Sequence, residues 1–388
     1  MPTQRLAQAI VTVDGNRQGP VLILGGGLAG SLLALALRQE GAAVTLVDAG
    51  NTCTATSHSY GAVPLWPLAA NPLARLAATA QQVWRQLEQR HGHLGWRGVG
   101  LRLQGAPTAL ARLSQLWPVP CGQVDSTVLL QRLPAVLTAA GVQRHRGQAC
   151  RLDHHNHSWR VALADGTSLT CGQLVLAAGA GCRTLWPALP EPLHHSWAGV
   201  LELEQPPPPT PTGRPCLQVP ARFSRLALER RAPQLQQRQW VVDGGLVPWG
   251  RGSLLGQLSL IDPIPDTNLR GADRCGTTPA CSADPAWAEQ QLRSALAQQP
   301  WSRAWADQPG RLRLLPVAFC SDGLPRVGPV AAAPGLWLFT GFSGAFSQVP
   351  VLAPLLARLL VAEPPQAAAA ALQLERLGLL EAVAARKG

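Results

Sequence analysis

Four apolar residues in a row, Val21 to Leu24, precede Gly25-Gly26-Gly27-Leu28-Ala29-Gly30 and an alanine- and leucine-rich stretch that runs to Leu37. A second apolar run, Val44 to Val47 with one threonine in it, closes on Asp48. Short apolar runs of this kind fit strands buried on both faces. The stretch between them fits a helix. The pattern predicts strand, glycine turn, helix, strand, acid. Helical spacing returns at Leu73, Leu76, Ala77, Ala80, Val83, Trp84 and Leu87, which share one apolar face. It returns again over 128–140, with Asp125 or Ser126 as a cap and Gly141 as a stop; Pro134 would interrupt or kink that helix.

Strand signals lie at 98–103, in a hairpin over 159–170 turning at Asp165-Gly166, and in the buried run 174–181, which ends in small residues. Residues 190–310, which include the stiff connector Pro206 to Pro209, are rich in proline and glutamine, with short strand signals at 240–247 and 253–260. This different texture points to a second, mostly β domain. Residues 264–285 are polar and unpatterned and read as a long loop. A strand at 334–339, a helix over 349–363 and an amphipathic helix over 366–386 complete the chain.

Each part of the opening unit has a physical task. Gly25 permits a tight turn, Gly27 lets the backbone approach a pyrophosphate, and Gly30 lets the helix pack close to the strand. The helix start offers N–H groups and a dipole that favours phosphate. Asp48, 18 residues after Gly30, suits ribose hydroxyls. The bland alternative is a glycine-rich turn of purely structural origin.

Composition narrows the chemistry. The chain has 388 residues, and no run of 18 uncharged apolar residues predicts a membrane span. Residues 1–20 lack a signal-peptide core, so a cytoplasmic location is expected. The nine cysteines are scattered without a Cys-x-x-Cys pair, which favours reduced thiols over a disulfide framework and predicts no metal site. Lys387 is the sole lysine, so 32 of the 33 basic residues behind the net charge of +11 are arginines. A Schiff-base or phosphate-loop lysine would have to be Lys387, which argues against pyridoxal and P-loop chemistry. The arginines are dispersed and fit a codon skew as well as a nucleic-acid face.

Four segments together resemble the D-amino-acid oxidase-like family of FAD-dependent oxidoreductases, which includes glycine oxidase and sarcosine oxidase. They are the glycine unit with Asp48, residues 174–181, Ser321 to Pro329 and Gly335 to Pro350. The resemblance implies an α/β fold: a Rossmann-like FAD-binding domain, split over 20–70, 120–190 and 310–388, with an inserted mostly β (α+β) substrate domain of 71–119 and 191–309. It implies that Gly25, Gly27, Leu28, Ala29 and Gly30 bind the FAD diphosphate and that Asp48 holds the adenosine ribose. Thr56, Ser57, Gly61 and Ala62 would lie along the diphosphate and flavin, and Ala178 and Gly179 against the nucleotide. Gly341, Phe342, Ser343, Gly344, Ala345 and Phe346 would form the loop and helix start beneath the isoalloxazine ring. The implied chemistry is hydride transfer from a C–H beside an amine nitrogen to flavin N5, followed by hydrolysis of the imine. Such chemistry needs orientation rather than an acid–base pair, so no catalytic residue is named. Tyr60, Trp249 and Arg251 are the substrate-pocket candidates.

Two positions depart from the family. Amino-acid-oxidising members carry a carboxylate-clamping arginine about five residues before the position of Asp322; here Val317 stands there. Arg313 would share its face, but roughly 13 Å away. The lysine thought to activate oxygen in sarcosine-oxidase-like members also has no counterpart. A small amine or amino acid is the favoured substrate. The first alternative is the tRNA wobble-uridine branch, whose oxidase domain has a similar glycine unit and elements comparable to Gly61 to Leu65 and Gly341 to Gly344. The second is a flavin-binding protein without turnover.

Overall fold

The computed structural model describes residues 19–105, 108–189, 192–211, 213–263 and 283–380. Strands β1 (Val21–Leu24), β2 (Val44–Asp48), β6 (Gln143–Arg146), β10 (Gln173–Leu176), β16 (Arg326–Pro329) and β17 (Leu336–Thr340) form one sheet, ordered β16-β17-β10-β1-β2-β6. All neighbours are parallel except β16, which runs antiparallel to β17. Every residue of β1 and β10 is buried, as a parallel sheet covered on both faces requires. Val21, Ile23 and Val175 face a core shared with helices Leu28–Gln39 and Ala345–Val361. Leu22, Leu24, Leu174 and Leu176 face the other way, onto Trp159 and Val161 of a three-stranded sheet. That small sheet contains β7 (Ala149–His155), β8 (Ser158–Leu163) and β9 (Ser168–Cys171), and the expected hairpin forms its β8–β9 half.

The second large sheet has eight strands: β3 (Ala62–Val63), β4 (Trp96–Gln104), β5 (Val119–Val124), β11 (Leu193–Leu203), β12 (Cys216–Pro220), β13 (Gln239–Trp249), β14 (Gly252–Ile261) and β15 (Gly310–Cys320). Their order is β15-β11-β14-β13-β12-β4-β5-β3. Strands β5 and β15 come from segments grouped by sequence with the nucleotide unit, yet they hydrogen-bond into this second sheet. Strand β15 pairs with β11 from Gly310 to Cys320, a length that the four- and five-residue strands of the first sheet cannot match. A register shift between Val242 and Gly245 takes Asp243 out of the β13–β14 ladder.

Local differences from the sequence pattern have local causes. The expected single helix over 73–87 is two, Pro72–Ala77 and Ala80–His91. Thr79 Oγ1 donates to Leu76 O at the break, the competition that threonine offers a helix backbone. Helix Ser126–Ala139, capped by Asp125, runs through Pro134. The last long helices begin earlier than expected, at Ala345 and Pro364, and the second ends at Arg376. Helix Pro285–Ala297 was not expected; Asp284 caps it, with proline at its first position. The rest of the expected loop, 264–282, lies outside the described residues, as do 1–18 and 381–388. Among the described residues six cysteines are free thiols, whereas Cys150 is disulfide-bonded. Among the described residues no helix is long and apolar enough to cross a membrane.

Candidate functional site

The five parallel strands of the first sheet end along one edge, where open α/β sheets bind ligands. In spatial order that edge carries Gly341 after β17, Ala177 and Ala178 after β10, Gly25 after β1, Asp48 at the end of β2 and Arg146 at the end of β6. Two of its glycines are demanded by close approach. Gly25 has φ +110°, and a Cβ there would lie 2.6 Å from Ala177 O, which holds the first two loops together. A Cβ on Gly30 would lie 1.9 Å from Gly25 O.

Helix Leu28–Gln39 starts without a side-chain cap from Gly27 and without an acid in its first turn. The Leu28 N–H donates to Thr56 Oγ1 at 3.1 Å, which leaves the threonine O–H to donate elsewhere. Asp48 is pinned from both sides: Oδ2 accepts from Gly26 N and Oδ1 from Gly50 N, each at 2.7 Å. Each carboxylate oxygen keeps a lone pair for a further donor. Ser57, by contrast, turns inward, where its hydroxyl bonds Thr54 and lies 2.8 Å from His58 Nδ1.

At the other end, helix Ala345–Val361 starts on Gly344, again with no side-chain cap and no acid in the first turn. Phe346 belongs to the core: it stacks on Trp84 at 6.2 Å, and its carbonyl accepts from Trp84 Nε1 at 2.8 Å. Phe342 packs edge-on against Phe339. Cys320 Sγ sits 2.5 Å from where a Gly341 Cβ would be, and burial pushes its thiol up to about 12, so it is a neutral packing group.

A polar cluster from the second sheet meets this loop. Arg225, on helix Ser224–Arg231, donates from Nη2 to Ser343 O at 3.3 Å and pairs through Nη1 with Glu229 Oε1 at 3.0 Å. Asp243, freed from its ladder, accepts from Ser224 N at 2.7 Å and Arg225 N at 2.9 Å and so caps that helix. Burial raises the Glu229 carboxyl pKa, with Arg225 opposing it. The Tyr60 hydroxyl is buried without a hydrogen-bond partner, in space left by Gly245. Burial and the Asp243 charge push that phenol far above its usual range, so it remains a donor.

Trp249 stacks on His58 at 5.2 Å and donates to Ser57 O at 2.8 Å, while Arg251 is exposed in the turn between β13 and β14. Arg313 stands opposite Val200 and pairs with Glu202 Oε2 at 2.9 Å. Val317 stands opposite Ser196. The sequence reading did not single out His58, Glu202, Arg225, Glu229 or Asp243. Arg225 and Glu229 share one helix, the others come from separate elements, and no motif joins them in the sequence.

The sequence model of the family described as FAD dependent oxidoreductase (DAO) matches residues 20–119 and 104–359. The chain belongs to that family. This oxidoreductase is 27% identical over 91% of its length to a Caulobacter sp. (strain K31) protein, the tRNA 5-methylaminomethyl-2-thiouridine biosynthesis bifunctional protein MnmC. Its identity to the Polaromonas sp. protein of the same name is 26% over 90% of its length. The chain spans 56% and 58% of those two relatives. In fold it is similar to glycine oxidase from Bacillus cereus (TM-score 0.62, 15% identical, 88% of this chain and 94% of that chain). It is also similar to L-proline dehydrogenase from P. horikoshii (TM-score 0.63, 13% identical, 89% and 93%). The family is FAD-dependent, and the crevice fits that cofactor: two helix starts with no acid in the first turn suit anionic groups, and a pinned Asp48 suits a ribose.

Proposed function

We propose that this oxidoreductase oxidises a C–N bond of an amine or amino acid. The observation behind the reading is the Arg225–Ser343 contact, which brings the second sheet's polar cluster to the loop before helix Ala345–Val361. The bound FAD would supply the two-electron acceptor for the hydride that leaves carbon beside nitrogen. The same step releases a proton from nitrogen and forms a C=N bond, which water then cleaves to a carbonyl and an amine.

The chain's own residues would bind and orient. Gly25 to Gly30, Asp48 and Thr56 would hold the adenosine diphosphate end of FAD; Ala178, Gly179 and Gly341 to Ala345 would line the flavin end. The uncapped start of helix Ala345–Val361 favours negative charge on the ring beside it. Arg225 and Tyr60 both present donors, and the guanidinium keeps N–H groups beyond those given to Glu229 and Ser343. Two donors of this kind suit a substrate carboxylate, a task that Val317 cannot perform and that Arg313 does not take because Glu202 holds it.

The test is anaerobic flavin bleaching. Purified protein should carry the visible flavin band, and one of glycine, sarcosine, iminodiacetate, proline or neutral alkylamines should bleach it. Protein that cannot be reconstituted with FAD, or flavin that no amine reduces, would sink the reading.

The curated relatives favour a second reading, in which the amine is a side chain of a tRNA wobble uridine. It predicts bleaching by tRNA rather than by free amines, tRNA binding that weakens steeply with salt, and altered wobble nucleosides in a deletion strain. Some arginines serve structure instead: Arg97 and Arg313 pair with carboxylates of the second sheet and its neighbouring cap.

A further inference from the structure

We infer that Arg146 anchors the adenine end of the FAD site, its guanidinium serving as a flat cationic surface for the base. The inference rests on the placement proposed above for Gly25 to Gly30 and Asp48.

The sheet order supplies the first support. The strand ends run β17, β10, β1, β2, β6. Neighbouring strands lie about 4.8 Å apart, so this row spans about 19 Å, the scale of an extended dinucleotide. The loop at Gly341 stands at one end, the glycine turn in the middle and Asp48 next to last. If Asp48 takes the ribose, the group beyond it at the end of β6 meets the base.

Local geometry supplies the second. Asp48 and Arg146 are register partners in the parallel β2–β6 pair, and Gly147 N donates to Asp48 O at 2.9 Å. The chain then turns at Gly50, whose φ is +77°. A Cβ on Gly50 would lie 2.7 Å from Arg146 Nε, 3.1 Å from Nη2 and 3.2 Å from Cζ. The guanidinium therefore lies across a bare stretch of backbone, beside the Gly50 N–H that Asp48 Oδ1 accepts. A side chain at position 50 would push it away.

Chemistry supplies the third. Arg146 is exposed and makes no hydrogen bond or ion pair with the described residues, in contrast to Arg38, Arg97, Arg225, Arg293, Arg313 and Arg326. A delocalised, weakly hydrated guanidinium stacks readily on an aromatic face. The adenine of FAD is the aromatic face expected at that end. A ribose 2′-phosphate would also attract a guanidinium, but the Asp48 carboxylate beside it repels such a group.

The experiment measures affinity of the apoprotein for FAD, ADP and FMN, with wild type, Arg146→Ala and Arg146→Lys. Arg146→Ala should weaken FAD and ADP about five- to tenfold. FMN, which lacks the adenosine, should bind as before, and the apoprotein melting temperature should not move. Arg146→Lys should stay close to the alanine variant, since an ammonium keeps the charge without the plane. Unchanged FAD affinity in Arg146→Ala would overturn the inference. So would an equal loss for FMN, which would mean a general disturbance, or full recovery with lysine, which would mean simple attraction to the diphosphate. Failure of the wild type itself to bind FAD would instead strike the cofactor placement.

Discussion

His58 Nε2 lies 2.5 Å from Glu202 Oε1, and the other Glu202 oxygen lies 2.9 Å from Arg313 Nη2. The segment beside the nucleotide edge is thereby tied to β11 and β15 of the second sheet. His58 Nδ1 lies 2.8 Å from Ser57 Oγ, whose own proton goes to Thr54 O, so the segment 54–58 is braced internally as well.

Removing Glu202 should therefore loosen the contact between that segment and the second sheet. Burial is the largest single influence on its carboxyl and pushes the pKa up, but the hydrogen bonds and charge interactions with Arg313 and His58 taken together hold the group below its usual value. Its stabilisation is then present above the unfolded carboxylate pKa of about 4.3 and is lost as pH falls through the folded value. Glu202→Ala should cost about 2 kcal/mol at neutral pH, and the gap to wild type should narrow below about pH 4. Urea titrations across pH test this; a gap that pH leaves unchanged contradicts it.

Two glycines should respond oppositely to the same substitution. Gly30→Ala drives a methyl into Gly25 O, 1.9 Å away, and neither backbone segment can yield cheaply. Loss of soluble protein, or at least about 3 kcal/mol of stability, is expected. In Gly344→Ala the nearest neighbour is the Ser347 hydroxyl at 3.2 Å, so the variant should fold, with a melting temperature near that of wild type.

Tyr60→Phe should separate stability from activity. The variant deletes a buried hydroxyl that has no partner, so stability should hold or rise by about 1 kcal/mol. If the hydroxyl engages substrate, KM for carboxylate-bearing amines should rise several-fold, with little change for neutral amines. Equal kinetics on both classes would remove Tyr60 from the pocket.

Asp48→Ala should weaken both the cofactor site and the empty protein. It strips the acceptor from the Gly26 and Gly50 N–H groups, which should cost about 1–3 kcal/mol of apoprotein stability. FAD affinity should fall more than tenfold, while FMN affinity falls less. Thermal melts and flavin-fluorescence titrations read the two effects apart.

The residues legible in sequence are those whose demands are local. Gly25, Gly30 and Asp48 stand in one contiguous strand–turn–helix–strand unit; Gly30 and Asp48 answer to neighbours within it, and Gly25 supplies its turn while also making room for Ala177 of a later loop. Asp125 and Gly141 could be read as the cap and stop of one helix for the same reason. Helix Pro285–Ala297 carried its own cap signal at Asp284, but the polar run before it masked that signal.

The sequence by itself determined the nucleotide-binding unit, the parallel character of its strands and, through its family resemblance, the cofactor. Tertiary structure alone decided which distant groups complete the site. Glu202 is 144 positions from His58, Ser343 is 118 from Arg225, and Arg146 reaches Gly50 only because β6 pairs beside β2. Such meetings depend on strand order and register, and these are settled by which apolar faces pack together over the whole chain rather than by any segment's own pattern.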